Sequence, residues 1–520
     1  MLILDKAPIL KSNQRFKMRQ KQPLLPYQRS ALSRNQQNDI LILSRLFAYR
    51  QKNGHSDISF AAGLPGHSQP TKIKKIIASI AQQESSAYPD YDPKAPITSE
   101  TLKPKIAAFH TFHFGSKIKA EETGFAPGST AILKAVAAIA GNDYKVAILP
   151  HPGYPLIKEP LIQARSHISL YASIEPNTKT KRWQLSLENL AAALKYHRVD
   201  NSFLYFNFPS NPTGYSPTAE EYQEIVKILM QEIEKRQKLN SPPPCILEDQ
   251  AYALMMHENR CFYSIFNAID DIRKQTISQA LCTKNKKQLE LLDILEQSVV
   301  VAHSFSKTFA AAGDRVAYWV CKNEKMRKSL TAEINAHQLT PSRTSLAVAN
   351  AILEEKQYDK NAMNEYGQRL RHLETSLNEA FSRAKKINKT LQKTTYDPIK
   401  AHADAGFFAT ADFSFLKNLT VPREMVKKIK EQLSLSQEGA ENINIFQNNR
   451  INNSFDASLW LLANSSLLAI PIKPTKHFPD QIYLRFSVGT TTEKDIDLAM
   501  EKLTKALIEI SPEKETISRL

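Results

Sequence analysis

Cysteine, glycine and long apolar runs are all scarce in this sequence. The four cysteines, Cys245, Cys261, Cys282 and Cys321, are scattered through 520 residues. They form no CxxC pair and no zinc-ligand spacing with histidine, which argues against a disulfide framework or a metal site and for a reducing, cytoplasmic setting. Among the longest apolar stretches is "AILKAVAAIA" at 131–140, interrupted by lysine, whereas a bilayer-spanning helix needs about 20 apolar residues. The first 30 residues carry no apolar block of the signal-peptide kind. With only 14 glycines in the chain, one that falls inside a motif-like stretch carries unusual weight.

Positive charge, by contrast, is plentiful. Lysine and arginine number 69 against 52 acidic residues, a net charge of +17. The excess is spread along the chain, with concentrations at the N-terminus, at 273–287 and at 422–430. That distribution reads as solvated helix faces and a basic arm rather than a nucleic-acid site. Length and a 42% hydrophobic content allow a large core in one large domain or two.

Residues 1 to about 52 are polar and basic, with one helical run, "NDILILSRLFAYRQ", and read as an arm outside the main fold. From about 144, apolar β-type runs ("YKVAILP", "HISLYASI", "SFLYFNFP", "CILEDQAY", "SVVVAHSF") alternate with helical segments. This predicts a mostly parallel sheet with helices on both faces, whose ligands bind beyond the carboxyl ends of the strands. After about 345 a long helix through "SRAKK" leads to two alternating strands, "AGFFATADFS" and "QIYLRFSVGT", read as a second, smaller domain. The Asn- and Gln-rich stretch 430–458 reads as an insertion or mobile loop, and "CTKNKKQLELLD" as a surface insertion.

Four stretches stand out chemically. In "HSFSKTF", Lys307 follows an apolar strand. Burying an ammonium is costly and lowers its pKa, which suits an imine-forming amine; alone, the stretch reads as a lysine reaching out of a loop. "NFPSNPTGYSP" is a strand end followed by a Pro-Thr-Gly turn carrying Asn211. In "LEDQAY", Asp249 ends an apolar strand with Tyr252 three residues on, an arrangement also typical of a helix cap. In "YLRFSVG", Arg485 interrupts an apolar strand, and a buried guanidinium fork suits a bidentate carboxylate.

Taken in order, these stretches resemble the fold-type-I pyridoxal-phosphate enzymes, and within them the class I/II aminotransferases, over roughly residues 55 to 500. The resemblance implies an α/β fold: a three-layer α/β/α large domain with a mostly parallel sheet, and a smaller α+β domain built from the C-terminal part and an N-terminal segment. The expected division is 1–52 arm, 53–100 segment packing with the small domain, 101–345 large domain and 346–520 small domain. The implied cofactor is pyridoxal 5′-phosphate, carried as a Schiff base on Lys307. Asp249 would face the pyridine nitrogen, Asn211 and Tyr252 the ring oxygen, and Tyr154 in "LPHPGYPLI" the ring face. Gly128, Ser129 and Thr130 in "FAPGSTAILKAV", with Ser304, Ser306 and Arg315, would hold the phosphate. Arg485 would take the substrate α-carboxylate, with Asn211 beside it and Gly63 in a segment closing over it. Tyr88, rather than Tyr91, would reach the phosphate from the other subunit of a homodimer.

The sequence departs from the family pattern at Ala317, which stands for a glycine, and at Pro127, which removes an amide donor beside Gly128. The implied activity is amino-group transfer from an L-amino acid to a 2-oxo acid by a ping-pong mechanism. A β-lyase, decarboxylase or synthase would share every residue named, and Arg343 is a candidate second arginine for a side-chain carboxylate. An effector-sensing transcription regulator is a further alternative motivated by the basic N-terminus, although about 52 residues leave little room for a DNA-binding module and show no helix-turn-helix pattern.

Overall fold

The computed structural model describes residues 39–82, 88–143, 146–164, 167–172, 174–198, 201–258, 260–278, 283–437, 443–473 and 480–510. The basic stretch 1–38 and residues 438–442 of the Asn-rich segment lie outside the described residues.

After a two-residue strand β1 (Ile58–Ser59), the chain lays down β2 (Thr123–Ala126), β3 (Val146–His151) and β4 (His167–Ala172). A small hairpin of β5 (Ile174–Asn177) and β6 (Arg182–Leu185) follows, then β7 (Ser202–Asn207), β8 (Cys245–Asp249), β9 (Val299–Ser304) and β10 (Ala317–Cys321). Seven of these strands make one sheet in the order β2-β10-β9-β8-β7-β3-β4. The pairings from β9 to β4 are parallel, and β10 runs antiparallel to both of its neighbours.

Side chains alternate across this sheet into two cores. One face turns Ile148, Leu204, Phe206, Ile246, Val299 and Val301 onto helices Ser99–Phe114, Ala219–Lys238, Ile265–Ser278 and Thr283–Gln297. The other turns Leu149, Tyr205, Leu247, Val300 and Ala302 onto helices Ser129–Asp143 and Glu324–His337. Burial on both faces is why these strands read as unbroken apolar runs. Each fully buried large aliphatic side chain in these layers contributes on the order of 2 kcal/mol.

A third core surrounds the small antiparallel sheet of β11 (Phe408–Asp412), β13 (Ile470–Ile472) and β14 (Tyr483–Ser487), in the order β11-β14-β13. Helices Lys360–Ile387, Ser454–Ser465 and Glu493–Ile508 pack around it. Its short companion β12 (Leu467–Leu468) pairs in parallel with β1, tying the N-terminal segment to this core. Tyr252 and Met255, from the loop after β8, belong to the same core, so that loop bridges the two sheets.

Several expectations are corrected here. The end of the supposed outer arm, helix Asp39–Lys52, is part of the third core: Ile42, Leu43, Leu46 and Arg50 form one buried stripe, and Arg50 pairs with buried Asp57 at 2.8 Å. The single long helix is two, Arg343–Glu355 and Lys360–Ile387. It breaks where Lys356 turns left-handed, with φ 53°, and Asp359 caps the second helix by accepting from the Ala362 amide. β11 and β14 do not alternate between core and solvent, because every residue of both is buried. In the Asn-rich stretch, Ile445, Phe446 and Ile451 are buried and the Asp456 carboxylate accepts from the Phe446 and Asn452 amides, so its described part is packed structure. The "CTKNKKQLELLD" stretch supplies most of helix Thr283–Gln297, which buries Leu291, Leu292 and Leu295 against the large sheet.

Candidate active site

Strands of the large sheet end at one place and deliver the unusual residues there. Asp249 is the last residue of β8, Lys307 lies just past β9, Asn211 just past β7 and Tyr154 just past β3. Gly128 follows β2 and leads into helix Ser129–Asp143. The crevice beyond the carboxyl ends of parallel strands is where this architecture binds ligands. Arg485 comes from β14 of the small sheet and meets the group from outside.

The Lys307 ammonium donates to the Gly63 carbonyl at 2.6 Å. Burial, followed by the nearby guanidinium groups of Arg485 and Arg315, brings its pKa down to about 8, against the pull of Asp249. Asp249 is fully enclosed; its Oδ2 accepts from the Tyr205 hydroxyl at 2.8 Å and its Oδ1 from the Ala251 amide at 3.2 Å. Burial raises its pKa to about 6, while those two donors and Lys307 favour the carboxylate. Desolvation likewise raises Tyr154, to about 12, and Tyr252, whose phenol also feels Arg485, Tyr154 and Asp249.

Arg485 donates from Nη1 to Asn211 Oδ1 at 3.1 Å and from Nη2 to the Ala61 carbonyl at 2.7 Å. Its guanidinium lies 4.5 Å from the centre of the Phe408 ring. Its Nε is buried without a hydrogen-bond partner, and among the described residues it forms no ion pair. Desolvation lowers its pKa to about 10. A buried cation with an open donor is poised for a carboxylate that the described residues do not provide. Asn211 is held by its own amide, which donates to Asn207 Oδ1 at 2.8 Å.

Around the expected phosphate position, Ser304 Oγ donates to Ser306 Oγ at 2.9 Å. Gly128 has φ +87°, and a Cβ there would lie 2.3 Å from Arg315 Nη2, so the guanidinium rests against the bare glycine. Arg315 is solvent-exposed and donates to the Ala312 carbonyl at 2.8 Å. It shares a cavity of about 320 Å³ with Thr130 and Lys134. Ser129 and Thr130 form the first turn of a helix with no acidic side chain there, so its dipole favours an anion.

Two candidates stand apart. Tyr88 is exposed beside the short helix Pro89–Tyr91, and no hydrogen bond or ring contact described here joins it to the cluster. Arg343 begins helix Arg343–Glu355 and does not line the larger cavity, of about 580 Å³, that opens beside Asn211 and Arg485.

Residues 56–503 match the sequence model of the family described as Aminotransferase class I and II. The chain belongs to this family. Among aminotransferase relatives, the LL-diaminopimelate aminotransferase of Halothermothrix orenii is 23% identical over 35% of this chain and 45% of its own length. That of Methanococcus maripaludis is 22% identical over 69% of this chain and 75% of its own. The aligned stretch spans about half the length of several such relatives. In structure, the aspartate aminotransferase of Rhizobium meliloti superposes with a TM-score of 0.66 at 17% identity, covering 91% of this chain and 96% of that one. These relations establish the aminotransferase fold and its two-sheet architecture.

The cofactor of class I/II aminotransferases is pyridoxal 5′-phosphate, and the residues present fit it. The site offers a lysine with a softened pKa, a fully buried carboxylate with a tyrosine donor, and a cradle at Gly128 that a Cβ would fill.

Sequence reasoning missed two contributors. Tyr205, which donates to Asp249, was signalled only by two polar residues, Tyr205 and Asn207, spaced two apart in a wholly buried strand. The other is a row of successive carbonyls in which Ala61 accepts from Arg485, Ala62 from Ser487 Oγ at 2.5 Å, and Gly63 from Lys307. Backbone acceptors leave no mark on a sequence.

Proposed function

We propose that this chain is a pyridoxal-phosphate-dependent aminotransferase that moves an amino group from an L-amino acid to a 2-oxo acid in two half-reactions. The observation that carries this reading is one site to which Lys307, Asp249 and Arg485 come from three separate parts of the chain, with Arg485, free of ion pairs among the described residues, and Asp249 both acting on the charge of Lys307.

When bound, the cofactor supplies an aldehyde to take up the amino group and an electron-withdrawing ring beside the substrate Cα. Lys307 Nζ, neutral more often than an ordinary lysine, would hold the cofactor through its aldehyde and, once released, move the proton at the substrate Cα. Asp249, oriented by Tyr205 and the Ala251 amide, holds positive charge on the ring nitrogen. Asn211 and Tyr252 would donate toward the ring oxygen, and Tyr154 would cover the ring face. Gly128, Ser129, Thr130, Ser304, Ser306 and Arg315 would hold the phosphate, and in a cytoplasmic homodimer Tyr88 of the partner subunit would complete its site. Arg485 orients the substrate by its α-carboxylate beside Asn211, and Gly63 belongs to the segment that excludes water above it.

In this reading residues 101–345 form the cofactor-binding body, and 53–100 with 346–520 form the body that closes on it. The separate apolar cores around the two sheets support two bodies, although Ile73, Leu346 and Ile352 pack in the core of the first and Ile42, Leu43 and Leu46 in that of the second.

The test is visible absorbance of the purified protein with added pyridoxal phosphate. Wild type should develop the band of a lysine-linked cofactor, and Lys307→Ala should not. One of a panel of L-amino acids should bleach the band and a 2-oxo acid restore it. Failure of wild type to capture the cofactor overturns the enzyme reading; capture without bleaching by any amino acid favours a lyase or decarboxylase.

A further inference from the structure

The cavity of about 580 Å³ runs from Asn211 and Arg485 outward to Lys158, Lys473 and Asp39. Much of its wall is apolar, formed by Ile40, Leu156, Ile162, Ile470 and Ile472. Arg485 pairs in register with Ile470 across β13 and β14. Lys473 lies three residues further along, on the order of 10 Å away at the spacing of a strand. An amino acid anchored by its α-carboxylate at Arg485 therefore extends its side chain toward the two lysines.

Four charged side chains line that far end, Lys158, Lys473, Asp39 and Glu159. Lys473 is committed to Asp39, its Nζ 3.4 Å from Oδ2. Glu159 also lines the cavity, is exposed, and among the described residues forms no ion pair with Lys158. Lys158 is partly buried, and among the described residues no hydrogen bond or ion pair engages its ammonium. Burial, and then the charge of Lys473, lower its pKa below the ordinary 10.5. His151, also in the wall, has its pKa lowered to about 4 by burial and by Lys158, and is neutral at physiological pH. Lys158 is thus a partly buried cation that, among the described residues, has no ion-pair partner and lines a largely apolar chamber.

We propose that this end of the cavity binds an anionic group at the far end of the substrate side chain, with Lys158 as its direct contact and Lys473 beside it. The amino acid used then carries a carboxylate or phosphate beyond a short apolar stem. The inference rests on the aminotransferase reading for the role of Arg485.

The test is calorimetric binding to the holoenzyme of three probes of matched reach: glutarate, 4-phosphonobutyrate and the neutral-ended pentanoate. At least one anionic probe should bind about tenfold or more tightly than pentanoate, as a charged contact in a partly buried site provides. Whichever anion wins identifies the group. In Lys158→Met the preference should collapse to within about twofold, while Lys158→Arg, which keeps the charge, should retain it and show that the position tolerates substitution. Equal binding of all three probes by wild type, or an unchanged preference in Lys158→Met, overturns the proposal. Amino-group transfer is measured separately on the same holoenzyme. If no amino acid bleaches the cofactor but the Lys158-dependent preference persists, the aminotransferase reading fails and the anion subsite stands. If bleaching occurs but wild type binds the neutral probe as well as the anions, the subsite falls alone.

Discussion

Lys307 carries an ammonium where burial and two guanidinium groups disfavour it and only Asp249 opposes them. With a pKa of about 8 in place of 10.5, roughly a tenth of the molecules hold the free amine at neutral pH, against about one in three thousand for an ordinary lysine. The rate of cofactor capture, followed by stopped-flow absorbance, should therefore rise with pH and level off just above pH 8. Removing one source of repulsion, as in Arg485→Met, should move that plateau to higher pH. A plateau near the ordinary lysine value in wild type would show that the site does not tune this amine.

At the scale of elements, the site depends on where strands stop. Parallel strands β9, β8, β7 and β3 place their carboxyl ends side by side, and the turn after each determines which side chain faces the crevice. The turn after β2 is the tightest case, since Gly128 has φ +87° and lies under Arg315. Gly128→Ala should cost about 1 kcal/mol of stability through left-handed strain and displace Arg315, weakening pyridoxal phosphate by about tenfold in an equilibrium titration. Gly313→Ala makes a matched control, because a Cβ there meets nothing within 4 Å. If both substitutions weaken the cofactor equally, the Gly128 cradle is not what holds its phosphate.

Across the whole molecule, the large core encloses histidines that are neutral when folded. His110 and His113, on helix Ser99–Phe114, and His303, on β9, sit among Phe109, Phe114, Phe305 and Tyr318. Burial lowers His110 to about 3, His113 to about 4 and His303 well below 6.5. A histidine with a depressed folded pKa takes up a proton on unfolding below 6.5, so its stabilising effect is full above that pH and is lost as pH falls toward the folded value. Glu248 and Asp249 act oppositely: raised to about 7 and about 6, they favour the folded state increasingly as pH falls from those values to their ordinary 4.5 and 3.8. Below about pH 4 the unfolded carboxyls are protonated as well and no longer oppose, while His110 and His303 still take up protons on unfolding, so the thermal midpoint should drop most steeply there. His303→Phe, which replaces a ring whose two nitrogens are buried without partners, should flatten that drop. An unchanged acid profile in the variant would place the acid sensitivity elsewhere.

How much was legible beforehand follows the range of the contacts. A lysine after an apolar run, a Pro-Thr-Gly turn, an acid ending a strand and an arginine within one are local signals, and the sequence by itself determined these groups and the layered α/β architecture around them. Only the tertiary structure decided what they meet. The Lys307–Gly63 hydrogen bond spans 244 positions and the Arg485–Asn211 bond 274, and no local pattern announces a partner so distant. The helix Asp39–Lys52, read as an outer arm, joins a core because its buried stripe fits one, and Lys158 matters because it lines the chamber beside Arg485 with no ion-pair partner among the described residues. Periodicity can say that a face is apolar; which surface covers it, and which charge stays uncompensated inside, is settled by packing between segments far apart in the chain.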